Sequence, residues 1–336
     1  MSKHQSKQND DGSHVVTPSL SEACRLWAKI GILSFGGPAA QIALMHRMIV
    51  DEKGWLSEKQ YLNALSFCML LPGPEAMQLA TYAGWRLHGT IGGLIAGLLF
   101  VLPGAIIILS LAIIYAIFGN VPIVSALFLG VKAAVLVIVL EALIRVAKRA
   151  LNGVQYWLIA GLAFIGIFFL ALPYPLIIFL AALFGFLQYS KVEKTLVKTT
   201  PITKTFFETI ITIIIWLVIW WVPLLAVAVF ANDDILFELG AFFSRLAIVT
   251  FGGAYAVLAY MGQDVVNQAG WLSAGEMMDG LGLAETTPGP LILVTEFVGF
   301  IAAYRQGDII LGVFGAAVAL WATFVPCFLW IFTGAP

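Results

Sequence analysis

Ser34-Phe35-Gly36-Gly37-Pro38 and Leu71-Pro72-Gly73-Pro74-Glu75 break long apolar runs, and both phrases return later, as Thr250-Phe251-Gly252-Gly253 and Pro288-Gly289-Pro290. Between them Gly54-Trp55-Leu56-Ser57 returns as Gly270-Trp271-Leu272-Ser273. Each pair is separated by 216 positions, and residues 29–74 laid on 245–290 without a gap give 16 identities in 46 positions. The chain is an internal duplication. What it duplicates are interruptions of hydrophobic helices, the places where a membrane protein exposes backbone to a solute.

The composition sets the class. Of 336 residues 61% are hydrophobic and 11% charged, with mean hydropathy +0.96, against about 25% charged in a soluble domain. This predicts an all-α, polytopic membrane protein. A net charge of −1 with no basic stripe gives no sign of nucleic acid. Cys24, Cys68 and Cys327 lie far apart, and two of the four histidines, His4 and His14, sit in the polar N-terminal stretch. No metal site, cofactor or catalytic constellation is indicated, so the chain reads as a carrier and not an enzyme.

Residues 1–19 have nothing to bury and are expected to form a disordered cytoplasmic tail. They lack the basic region and apolar core of a signal peptide. Runs long enough to cross roughly 30 Å of hydrocarbon fall near 91–118, 121–143, 154–171, 174–189, 206–230 and 308–332. Shorter segments at 20–35, 39–50, 57–70 and 75–88 are duplicated at 236–251, 255–266, 273–286 and 291–304. A helix of 12–16 residues reaches only about 18–24 Å. Each repeat is therefore expected to hold two re-entrant helical hairpins beside its spanning helices. Four parts result: the tail, a first repeat over 20–150, central spans over 151–233 with a basic loop, and a second repeat over 234–336. The second stops where the counterpart of 121–150 would begin, and a last helix is expected to be missing from it.

Basic loops face the cytoplasm. Arg145, Lys148, Arg149 and Lys191, Lys194, Lys198, Lys204 put 144–153 and 190–205 inside, with 172–175 and 231–235 outside. The second repeat then enters from the opposite side to the first, so the repeats should be inverted. Their connectors agree: 39–63 carries Arg47, Lys53 and Lys59, whereas 255–279 carries no lysine or arginine.

Proline next to glycine ends one helix and starts another, and every new helix presents free amides and a partial positive charge. Such ends hold oxyanions without lysine. The expected substrate site is thus Ser34, Phe35, Gly36, Gly37, Pro72, Gly73, Pro74, Glu75 and Gln78 with Thr250, Phe251, Gly252, Gly253, Thr286, Thr287, Pro288, Gly289 and Pro290. Ser34, Thr250, Thr286, Thr287 and Gln78 would supply hydroxyl or amide donors. The plainer reading is that the glycines only let helices approach. Lys29 and Arg245 share one repeat position; either they serve the site or they snorkel. Lys132 lies mid-span, where a site or an ion pair is called for. Glu75 and Glu285 are candidates for coupling proton movement, or for helix capping. His46 and Arg47 are either solvated or attract anions to a cytoplasmic mouth.

Phe35-Gly36-Gly37-Pro38-Ala39, Met45-His46-Arg47, Trp55-Leu56-Ser57, Leu70-Leu71-Pro72-Gly73-Pro74-Glu75-Ala76, Phe251-Gly252-Gly253-Ala254 and Trp321-Ala322-Thr323-Phe324-Val325-Pro326 closely resemble the chromate transporter family of bacteria, in its long two-repeat form. The resemblance covers about 20–336. It implies an inner-membrane, multi-pass carrier that exports chromate, with sulfate as a look-alike dianion and lipid as its surroundings. Alternating access is the expected mechanism. A carrier mainly for sulfate or another oxyanion, or a passive anion channel, stays open as an alternative, as does a homodimer.

Overall fold

The structure, a computed structural model, describes residues 6–8, 14–16, 18–119, 121–170, 172, 174–189, 206–230, 234–251 and 254–335. It is helical throughout apart from a three-residue antiparallel ladder between Ser6–Gln8 and His14–Val16. That ladder stands where the sequence predicts no regular structure; the β-branched Val15 and Val16 suit it. Gly252, Gly253 and the basic loop over 190–205 fall outside the described residues.

The first repeat runs α1 (Leu20–Leu33), α2 (Gly37–His46), α3 (Glu58–Cys68) and α4 (Glu75–Phe118). The chain continues through α5 (Pro122–Ala150) into the central helices α6 (Val154–Phe168), α7 (Tyr174–Tyr189) and α8 (Phe206–Phe230). The second repeat is α9 (Asp234–Val249), α10 (Ala254–Gln263), α11 (Ala274–Thr286), α12 (Val294–Tyr304) and α13 (Ile309–Gly334). Among the described residues, three stretches, 75–118, 207–229 and 309–334, are long and apolar enough to cross a membrane. The chain divides into two compact units, one from 1–132 with 204–336 and one from 133–203. In the smaller unit α6 packs on α7, with Gly166 buried beneath Ile177.

In the larger unit the duplication extends to backbone detail. The π-helical turn Arg47–Glu52 follows α2, and Asp264–Gln268 follows α10. Trp55 N–H donates to the Ile49 carbonyl at 2.8 Å, and Trp271 N–H to that of Val265 at 3.0 Å. Ser57 and Ser273 then cap α3 and α11, each closing a capping box with Gln60 or Glu276. Reciprocal capping satisfies two orphan amides at once, which is why the Trp-Leu-Ser phrase starts a helix in both places.

The long helices fold the same way. Helix α4 breaks at His88 and Gly89, the latter at φ 63° and ψ −156°, so 75–87 and 90–118 lie as two arms. Gly84 is packed on the Gly92 carbonyl and Ala96 of the second arm. In the second repeat Gly299 of α12 is packed on the Gly315 carbonyl and Ala319 of α13. A side chain at any of these glycines would strike backbone, which is how small residues let membrane helices approach. The first hairpin closes inside one helix and the second through a short loop, 305–308.

Candidate functional site

Helix α1 ends where Ser34 turns its hydroxyl back to the Ile30 carbonyl at 2.6 Å; Thr250 does the same at the end of α9, to Leu246, at 2.6 Å. Phe35 and Phe251 follow, half-exposed, each N–H returning two residues to Leu33 or Val249. Gly36 then takes φ +85° as the N-cap of α2, a left-handed conformation that favours glycine. Pro38 sits in the first turn, where it loses no intrahelical hydrogen bond. The N–H groups of Gly37 and Ala39 precede the first intrahelical bond of α2.

The Pro-Gly-Pro loops do not face their own breaks. Gly73 N–H donates to the Thr250 carbonyl at 2.7 Å, and Gly289 N–H to the Ser34 carbonyl at 2.8 Å. Each loop is clasped by the broken helix of the other repeat. The loops also meet the other repeat's long helix just past its proline. Gly104, after Pro103, packs on Pro288 and Gly289; Cys327, after Pro326, has its Sγ 3.0 Å from where a Gly73 side chain would begin. Gly73 at φ +113° and Gly289 at φ +100° are the residues whose backbone lets these strands of chain come so close.

Two buried glutamines line the clasps. Gln41 donates from Nε2 to the Gly289 carbonyl at 2.6 Å and to Ser34 at 3.3 Å; Gln78 donates to the Pro72 carbonyl at 2.7 Å. Their Oε1 atoms are buried with no partner among the described residues.

The side chains expected as donors have partners of their own. Ser34, Thr250, Thr286 and Thr287 all give their hydroxyl protons to carbonyls of their own helices, at 2.6 to 2.7 Å, and the Gln78 amide is engaged in its loop. At helix ends a hydroxyl reaches the carbonyl four residues back more easily than it reaches a solute. These side chains therefore offer lone pairs, and the Gly73 and Gly289 amides are engaged in the clasps. The amides opening α2 and the first turn of α4, where Glu75 is half-buried, take no part in the clasps.

The charged candidates separate. Lys29 and Arg245 both lie on exposed helix faces, Arg245 donating to its own Ala241 carbonyl. Lys132 forms an ion pair with Asp279, Nζ to Oδ2 at 3.1 Å, and Tyr115 donates its hydroxyl to the same oxygen at 2.9 Å. Arg305 pairs with Glu276 and donates to the Trp271 carbonyl. Of these groups Tyr115, Glu276 and Arg305 line a cavity of about 300 Å³, with Ala116, Gly119, Ile301 and Tyr304. Glu285 is buried near the end of α11. On the first connector His46 lies 2.6 Å from Glu58 and 3.3 Å from Asp51, and Arg47 pairs with Glu52. The hydrogen bond to Glu58 raises the His46 pKa above its ordinary value; burial opposes it, and the charges of Glu58 and Asp51 add to the rise.

Three residues escaped the sequence reading: Gln41, Tyr115 and Glu296, the last 1% exposed within α12. Gln41 and Glu296 each stood as a lone polar residue in an apolar run, and that was the available signal.

The duplicated breaks, clasped crosswise, match the family model described as chromate transporter over residues 21–186 and again over 237–336. The chain belongs to the chromate transporter family. Among its relatives is a probable chromate transport protein of Synechococcus elongatus, 30% identical over 334 residues, covering 98% of this chain and 79% of that one. The chromate transport protein of Pseudomonas aeruginosa is 31% identical over 331 residues, covering 96% and 75%. That of Cupriavidus metallidurans is 29% identical over 329 residues, covering 95% and 75%. No solved structure matches the chain. As a chromate transporter family member with long apolar helices, it is a membrane protein.

Proposed function

We propose that this protein exports chromate across the bacterial inner membrane by alternating access, with its N-terminus in the cytoplasm. The names of the relatives carry the substrate; the observation that carries the mechanism is the reciprocal pair of backbone hydrogen bonds, Gly73 to Thr250 and Gly289 to Ser34. Reciprocity of this kind is what a two-fold relation between repeats produces. The connectors differ in basic charge, with Arg47, Lys53 and Lys59 on the first and none on the second, which supports an axis in the membrane plane and hence inverted repeats, each with two re-entrant hairpins. On this reading the tetrahedral dianion lies against the opening amides of α2 and its duplicate α10, beside the first turn of α4. The hydroxyls of Ser34 and Thr250 hold the breaks in shape. Glu75 and Glu285 remain close enough to the breaks to respond to the anion's charge.

The test is chromate flux in everted vesicles under imposed proton, sodium and voltage gradients. Saturable, gradient-driven uptake is expected. Flux that never saturates and follows voltage alone would make the protein a channel, and sulfate blocking chromate at low concentration would make sulfate its principal solute.

A further inference from the structure

Glu296 lies in the first turn of α12, 1% exposed, and its Oε2 is buried with no hydrogen-bond partner among the described residues. Helix α12 is packed by α13, α4, α9 and α11. The titratable and charged groups on those elements are Cys327 on α13, Glu75, Tyr82, Arg86, His88 and Tyr115 on α4, Asp234, Glu238 and Arg245 on α9, and Glu276, Asp279 and Glu285 on α11. None of them bonds to Glu296, and the cation on α9, Arg245, is on an exposed face. Tyr115 instead serves Asp279, and that carboxylate takes Lys132. A carboxylate without cation or donor is not tolerated in such a place, so the group is held as the neutral acid.

The position is also unequal between repeats. Gly84 and Gly299 occupy equivalent places in the two hairpins, which sets Glu296 opposite Thr81, and Thr81 simply returns its hydroxyl to the Met77 carbonyl at 3.0 Å. Nothing in the packing of this hairpin requires an acid. From the neighbouring Thr295 a buried polar line leads toward the clasp: Thr323 donates to Thr295 at 3.4 Å, and Cys327 Sγ lies 3.6 Å from the Thr323 carbonyl and against Gly73. A movement that opens the Gly73 clasp therefore bears on the turn that carries Glu296.

We propose that Glu296 is the proton-carrying group of this transporter. This rests on the reading of the protein as a gradient-driven anion carrier. When the site opens to water, the carboxylic acid gives its proton to water and becomes a carboxylate; when it opens to the other side, the carboxylate takes a proton from hydronium. One proton moves per cycle and no electron does.

The experiment uses the full chain in vesicles with a trapped pH indicator, adding chromate and recording proton movement alongside chromate counterflow. Wild type is expected to move protons on chromate addition. Glu296→Gln is expected to lower that proton movement by about tenfold or more while counterflow stays within about two-fold, because exchange needs no change of protonation. Glu296→Asp, which restores an acid, is expected to recover part of the proton movement, and the melting temperature of each variant in detergent checks folding. Chromate-driven proton movement surviving in Glu296→Gln overturns the proposal, as does wild-type chromate flux without proton movement. Counterflow lost with proton movement in a well-folded Glu296→Gln, unrestored by Glu296→Asp, also overturns it. Absence of any chromate flux in wild type would instead sink the transporter reading itself.

Discussion

The two connectors between α2 and α3 and between α10 and α11 share a backbone and almost nothing of their charge. Both run through a π-helical turn, a left-handed glycine (Gly54 at φ 59°, Gly270 at φ 64°), a tryptophan N–H returned to the turn and a serine cap. Yet the first pairs its own side chains, His46 with Glu58 and Asp51 and Arg47 with Glu52, and exposes Asn63. The second buries Asp279 at the position of Asn63 and takes its cations, Lys132 and Arg305, from outside the connector. Shape here is set by glycine and caps, which a duplication copies whole. Charge is set by surroundings, and it has diverged. The second connector takes all its cations from elsewhere in the protein, while the first pairs His46 and Arg47 within itself and reaches α1 through Lys53 and Glu22.

If the clasps are the shared machinery, Gly73→Ala and Gly289→Ala should both be severe. Each places an L side chain at φ above +100° or at it, a strain of about 1–3 kcal/mol, and Gly289→Ala also presses on the Gly104 backbone, 3.2 Å from the new Cβ. Chromate flux is expected to fall by about tenfold or more in both, at normal insertion, with Gly289→Ala the worse. A silent Gly73→Ala would break the equivalence of the repeats. Next comes Lys132→Met, which leaves Asp279 buried with only the Tyr115 hydroxyl. A loss of about 3 kcal/mol is expected from orphaning a buried charge, read as a lower melting temperature in detergent, and adding Asp279→Asn should restore most of it. A Lys132→Met protein as stable as wild type would mean that the second connector is not anchored there.

Smaller effects sharpen the contrast. Ser57→Ala and Ser273→Ala should each cost about 1 kcal/mol. Ser273→Ala should be the larger, because the Ser273 hydroxyl also donates to Glu276 at 2.7 Å. The smallest effect is that of pH on the first connector. Because the folded His46 pKa lies above its ordinary 6.5, its contribution is complete below that value and lost as pH climbs through the raised one. The melting-temperature gap between wild type and His46→Gln should therefore be widest in mild acid and close in base. A gap that widens with alkali would show that the Glu58 and Asp51 contacts do not stabilise the imidazolium.

Much of this was written into the chain. Helix ends were legible because glycine, proline and serine caps mark them locally: α11 was expected at 273–286 and runs over Ala274–Thr286. The break regions were likewise marked as the place where repeats meet. What sequence concealed was partnership. Nothing local says that Gly289 serves Ser34 instead of its own Thr250, since that choice is made by packing across the whole fold. Nor did the type of residue reveal that Ser34 and Thr250 would turn their protons inward, because a hydroxyl donates as readily to a carbonyl four residues back as to a ligand. Glu296 was visible as a lone acid, but its solitude is a property of neighbours on four other helices.

The crosswise clasp also bears on how the chain is made. Gln41 meets Gly289 across 248 positions of sequence, so when the first half has left the ribosome, its broken helix and its Pro-Gly-Pro loop have no counterpart to hold. The joint can close only once the chain through Gly289 is inserted, so the break of the first repeat waits on the loop of the second.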